Sequence, residues 1–139
     1  YQARDAAQIL DIARGGYVLA DCDGTPEAII IATGSEVMLA MDAAVVLREK
    51  GRRIRVVSMP CADVFDAQDA AYREAVLPAA ISARVAVEAG VTSGWLKYVG
   101  LQGSVVGIDS FGESAPAEAA FEHFGFTVDN VVSHIEPLL

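Results

Sequence analysis

Ala28-Ile-Ile-Ile-Ala-Thr-Gly-Ser-Glu36 constrains this chain more than any other stretch. An aliphatic run with no polar interruption has no face to offer water, so it predicts a strand covered on both sides, as in the centre of a parallel sheet. Thr33-Gly34-Ser35-Glu36 then ends the strand. Glycine suits a tight turn, the Ser35 hydroxyl can accept from a first-turn N–H, and Thr33 and Glu36 stand at capping-box spacing. From Val37 the apolar residues recur at Ala40, Met41, Ala44 and Leu47, one face of a 3.6-residue repeat, with Gly51 expected just beyond the helix end. Ile54-Arg-Val-Val-Ser58 returns as a strand, completing a right-handed β-α-β unit.

The remaining segments must pack on that unit. Tyr1–Arg14 is polar and alanine-rich and reads as a linker or a short helix ended by Gly15-Gly16; residues 15–139 read as a single domain. Gly16–Ala20 is a short strand, and its brief connection to the central strand makes it antiparallel to that strand. Pro60 marks a loop after the second strand of the unit. Asp66 is expected to cap a helix from Ala67 to about Val76, with Asp69 in its first turn. Ala83–Ala89 reads as a further parallel strand, broken by Gly90. Thr92 or Ser93 can cap a short helix over Trp95–Tyr98, and Ser104–Asp109 is the last strand. Phe111–Pro116 is a loop that opens a helix running to about Phe124. A terminal helix follows Phe126-Thr-Val-Asp129, and Pro137 stops it. The predicted fold class is therefore α/β: a three-layer α/β/α sandwich on a five-stranded, mixed, mostly parallel sheet.

Composition excludes several classes of function. At 139 residues a single core suffices, and no apolar run approaches a membrane span. The net charge of −9, with only 10 Lys and Arg, removes the general attraction that nucleic acid or an anionic membrane would need. Cys22 and Cys61 lack CxxC spacing and give neither a disulfide framework nor a metal site, so a reducing, cytoplasmic setting is expected. The chain starts at Tyr1 without a methionine or a secretory signal, which leads us to expect a piece of a longer polypeptide.

Ligands of open α/β sheets collect at the carboxyl ends of strands whose connections leave in opposite directions. The candidate crevice is accordingly lined by Thr33-Gly34-Ser35-Glu36 after the central strand and by Glu88-Ala89-Gly90 after the later parallel strand, with Thr33, Gly34, Ser35 and Glu88 as the candidate ligand-binding residues. Gly34-Ser35 at a helix start has free N–H groups and a positive dipole end, the ingredients of an anion site, but there is one glycine and no adjoining basic residue. A self-capped helix explains the same residues, and for Glu88 a hydrogen bond to the neighbouring turn is the structural alternative. Cys61 has no histidine tied to it, since His123 and His134 lie toward the other end of the chain; a partly buried structural thiol is expected there and surface or interface positions for both histidines. Trp95 and Tyr98 fit either a core or an interface. No glycine-rich phosphate loop, metal triad or Ser/His/Asp order is present, so no catalytic residue and no metal ligand is assigned.

Beside these patterns stands a resemblance. Gly15-Gly-Tyr-Val-Leu19, Ala32-Thr-Gly-Ser-Glu-Val37, Arg55-Val-Val-Ser-Met-Pro60, Phe65-Asp66 with Gln68-Asp-Ala-Ala-Tyr-Arg73, Arg84-Val-Ala-Val-Glu-Ala-Gly90, Lys97-Tyr-Val-Gly100, Phe111-Gly-Glu-Ser-Ala-Pro-Ala117 and Gly125-Phe-Thr-Val-Asp-Asn130 occur in an order and spacing that resembles the C-terminal domain of a bacterial-type transketolase. The resemblance implies a whole enzyme of the pentose phosphate pathway. Such an enzyme moves a two-carbon ketol unit from a ketose phosphate to an aldose phosphate with thiamine diphosphate and a divalent metal (Mg or Ca). It works as a homodimer, and its cofactor and sugar-phosphate residues lie in upstream domains of the same chain. For this segment it implies no cofactor bound, a non-catalytic structural role, and a first strand pairing away from its successor. The alternative from another class is a small regulatory module binding a nucleotide or anion in the strand-end crevice.

Overall fold

A computed structural model of the chain describes residues 6–109 and 117–139. A short helix α1 (Ala6–Ala13) precedes strand β1 (Tyr17–Ala20). The β-α-β unit follows as β2 (Ala28–Ala32), α2 (Glu36–Glu49) and β3 (Ile54–Ser58). Helices α3 (Ala62–Asp66) and α4 (Ala70–Val76) lead to β4 (Arg84–Val87). A 3-10 turn (Thr92–Trp95) and α5 (Leu96–Val99) lead to β5 (Ser104–Val106), and α6 (Ala117–His123), α7 (Val128–Ile135) and a 3-10 turn (Glu136–Leu138) close the chain. The expected loop over Phe111–Pro116 and its helix start lie outside the described residues.

The five strands are ordered β1-β3-β2-β4-β5, with only β1 antiparallel. Every residue of β2 is buried, because β3 and β4 pair with its two edges and helices cover its two faces. Ala28, Ile30 and Ala32 face one layer, where Ala40, Ala43, Ala44 and Leu47 of α2 meet Val131, Val132 and Ile135 of α7. Ile29 and Ile31 face the other, made by Phe65 of α3, Val76 of α4, and Trp95, Tyr98 and Val99 around α5. Burying an Ile side chain stabilises the fold by roughly 1.5–3 kcal/mol, so three consecutive isoleucines at 0% exposure anchor both layers at once.

The far end of α2 follows the expected pattern. Gly51 takes φ 81°, its N–H donates to Arg48 O, and Arg52 N donates to Leu47 O, the paired bonds of a Schellman ending. The start of α2 does not follow it. Ser35 occupies the N-cap position with helical φ −67° and ψ −25°, and its hydroxyl donates to Glu36 Oε1 instead of accepting from an N–H. Glu36 N donates to the Thr33 carbonyl rather than to its side chain, and the Glu36 carboxylate is taken by Ser35, so the expected capping box does not form.

Four further expectations are corrected. The helix expected from Ala67 starts at Ala70 as α4, capped not by Asp66 but by Asp69, which accepts from Tyr72 N at 2.8 Å, and an additional short helix, α3, with Cys61 at its start, occupies part of the expected loop. Asp66 is unavailable because its carboxylate accepts from Lys97 Nζ (2.5 Å) and the Tyr98 hydroxyl (2.9 Å). Neither Thr92 nor Ser93 caps the next segment: the Thr92 hydroxyl bonds Asp109 instead. Cys61 is exposed, since Gly15 packs on its backbone and leaves the thiol outward. His134 is half-buried, with Nδ1 at 2.5 Å from Ser104 Oγ, because α7 lies across β5. His123 is exposed, as expected. Trp95 and Tyr98 are both core residues.

Candidate functional site

The switch in connection direction falls between β2 and β4. From β2 the chain crosses to β3 through α2 on one face, and from β4 it crosses to β5 through α5 on the other. Ala32 pairs with Val87, so Thr33 and Glu88 leave adjacent strand ends side by side. Gly34 (φ 57°) and Ser35 lie exposed at the rim, with Thr33 half-buried beneath them. The four candidate residues, Thr33, Gly34, Ser35 and Glu88, therefore stand at the adjacent ends of β2 and β4.

The chemistry of the rim is set by carboxylates. Glu36 is only 4% exposed and accepts the Ser35 hydroxyl at 2.7 Å. Glu88 accepts from the Trp95 indole N–H, which ties the end of β4 to the turn that follows it. Asp109 accepts from Thr92 N at 3.0 Å and from the Thr92 hydroxyl at 2.8 Å, and these bonds hold its carboxyl below its ordinary range. Among the described residues, no Lys or Arg pairs with any of the three. The rim therefore offers a small anion no positive side chain among the described residues, and the Ser35 hydroxyl already has its acceptor. Pattern reasoning places Glu36 beside the strand ends but gives no sign of its burial, and it misses Asp109 as a partner of the turn. Asp109 has no sequence signal, because its bond closes a loop across 17 positions.

A shallow groove of about 630 Å³ lies elsewhere, between α4 and α5. Its charged groups bond chiefly to one another or to backbone: Lys97 with Asp66, and Arg84 with the carbonyls of Tyr98 (2.7 Å), Pro78 (2.7 Å) and Ile81 (2.8 Å). The Lys97 bond holds the Asp66 carboxyl below its ordinary value and, reciprocally, raises the Lys97 ammonium. Groups satisfied in this way cement α3, α4 and α5 to β4. Among the described residues, no three His, Cys, Asp or Glu converge as a metal site, and the strand-end rim offers no cation to a diphosphate. Neither of these two sets of described residues fits a thiamine diphosphate–metal centre.

Comparison with known proteins agrees with the topology. Residues 15–127 match the family model described as the transketolase-like TK C-terminal domain. Transketolase 1 of Escherichia coli (strain K12) is 63% identical over 138 residues, which are 99% of this chain and 21% of that protein. Transketolase 2 of Vibrio vulnificus (strain CMCP6) is 59% identical over the same span and proportion. Among solved structures, transketolase from Leishmania mexicana superposes with a TM-score of 0.86 at 45% identity, covering 94% of this chain and 18% of that one. A chain described as a split gene transketolase, inactive beta4 tetramer, superposes with a TM-score of 0.69 at 26% identity over 91% of this chain and 43% of its own length. The chain thus spans about a fifth of the curated relatives it matches, and it belongs to the transketolase C-terminal domain family.

Proposed function

We propose that residues 15–139 are the non-catalytic C-terminal domain of a longer transketolase, joined to it through residues 1–14. The whole enzyme moves a two-carbon ketol unit from a ketose phosphate to an aldose phosphate in the pentose phosphate pathway of the cytoplasm. It works as a homodimer with thiamine diphosphate and a divalent metal held by upstream domains. The observation that carries this proposal is the 63% identity to a transketolase across 138 residues that make up only 21% of it. The donor sets described above support leaving the cofactor to the rest of the polypeptide. Within this domain the role is structural, and a ligand in the strand-end crevice would touch Thr33, Gly34, Ser35 and Glu88; the carboxylate rim favours a neutral or cationic group there.

Intact mass and immunoblotting of the native polypeptide test the proposal, with titration of residues 1–139 by thiamine diphosphate and Mg alongside. A polypeptide several times longer than 139 residues and no saturable binding are expected. A native product of this length, or saturable cofactor binding by it, would overturn the proposal.

A further inference from the structure

Helix α1 differs from the other long helices in burying nothing. Its sequence, Ala6-Ala-Gln-Ile-Leu-Asp-Ile-Ala13, places Ala6, Ile9, Leu10, Ile12 and Ala13 on one arc at 100° per residue, with Gln8 and Asp11 opposite. Ile9 is 57% and Leu10 67% exposed, whereas α7, of the same length, buries Val131, Val132 and Ile135. Eight residues are too few for a helix to persist in water without packing. The domain grips the chain firmly just after this helix. Cys61 N donates to Gly15 O at 2.9 Å, the Tyr72 hydroxyl donates to Gly16 O at 2.8 Å, and the Arg14 guanidinium lies 4.5 Å over the Tyr72 ring.

We propose that the Ile9–Leu10 face of α1 is the surface by which this domain docks on the part of the same polypeptide that precedes it. This rests on the proposed function. In the matched relatives about four-fifths of the chain lies outside the aligned segment, and the family is one of C-terminal domains, so in a chain built that way the remainder enters through α1. A tethered partner is present at an effective concentration in the millimolar range. A second copy has no such tether and competes for the same face only at its bulk concentration. The occupant expected from this is an apolar surface of the preceding domains, with room for two aliphatic side chains.

Hydrogen exchange of the full-length polypeptide tests the docking, comparing the native sequence with the double variant Ile9→Asp/Leu10→Asp and with Leu101→Asp, a fully exposed control position. The native sequence and the control are expected to slow exchange over residues 6–13 on the order of a hundredfold, and the double variant to return it to within about tenfold of an unstructured segment, with β2 and β4 protected in all three. Unprotected α1 in the native polypeptide overturns the inference, and so does protection that rises with protein concentration, which would mark a second copy as the occupant. An intact mass matching 139 residues would instead defeat the proposed function itself, so the two failures are separable.

Discussion

The two ends of the parallel strands are built from opposite charges and put them to different use. At the amino ends, arginines reach backbone carbonyls and paired carboxylates. Arg84 donates to four carbonyls, and Arg55 clamps Asp21 through Nε (3.0 Å) and Nη2 (2.9 Å) while its Nη1 holds Ala75 O and Val76 O. Arg48 donates to Ile54 O at 2.7 Å, and Glu27 sits between Arg52 and Arg53. At the carboxyl ends, Glu36, Glu88 and Asp109 accept from neutral hydroxyl, indole and amide donors. An arginine fork can satisfy several carbonyls at once, including those left over at helix ends, so the amino end ties distant elements together. Each carboxylate at the other end ties only its own turn or its neighbour's. The amino end should hold stability and the carboxyl end local shape.

The largest expected effect is therefore Arg84→Met. It leaves four carbonyls without their donor, and at about 1 kcal/mol or more per charge-assisted bond the loss should reach about 3 kcal/mol in urea denaturation. Arg55→Met should cost about 2 kcal/mol, because the side chain is 12% exposed and Asp21, 46% exposed, can turn to water. Next comes acid. Burial alone would raise the Asp21 carboxyl, but the Arg55 bonds, the Cys22 N–H and the charges of Arg55 and Arg48 outweigh it and hold it below the ordinary 3.8. The native state then binds fewer protons than the unfolded chain at low pH. The stability this provides is intact above pH 3.8 and is lost as the pH falls through the lower folded value, an effect Asp21→Asn should flatten in an acid titration of stability. The smallest effects belong to the other end: Glu88→Gln and Glu36→Gln each keep an oxygen for the Trp95 or Ser35 donor and should cost under about 1 kcal/mol. If either matched Arg84→Met, the contrast between the two ends would break.

How much was legible beforehand follows from the range of the interactions. β2 and β3 carry their burial in their own composition, and the Schellman end of α2 is decided by Gly51 alone, so all three are where the sequence puts them. The start of α4 depended on which aspartate was free to cap. Asp66 and Asp69 are equivalent in local chemistry, and the choice fell to Lys97 and Tyr98, some thirty positions away. The pairing of β1 with β3 likewise spans the β2–α2 segment, and no pattern within β1 specifies it. Thr33, Gly34, Ser35 and Glu88 stand at the strand ends where the strand and turn patterns put them. The burial of Glu36 was hidden, because an acidic residue in a helix's first turn ordinarily reads as a solvated partner of the dipole.

The grip on Gly15-Gly16 also has a mechanical consequence. A Cβ at Gly15 would lie 2.4 Å from Cys61 O, and one at Gly16 would lie 2.6 Å from the Met59 sulfur, so the chain passes here through a slot with no slack. Load arriving along α1 is met by the hydrogen bonds from Cys61 and Tyr72 before it can reach β1. Any bending of α1 against the sheet is therefore taken up on the amino-terminal side of Gly15.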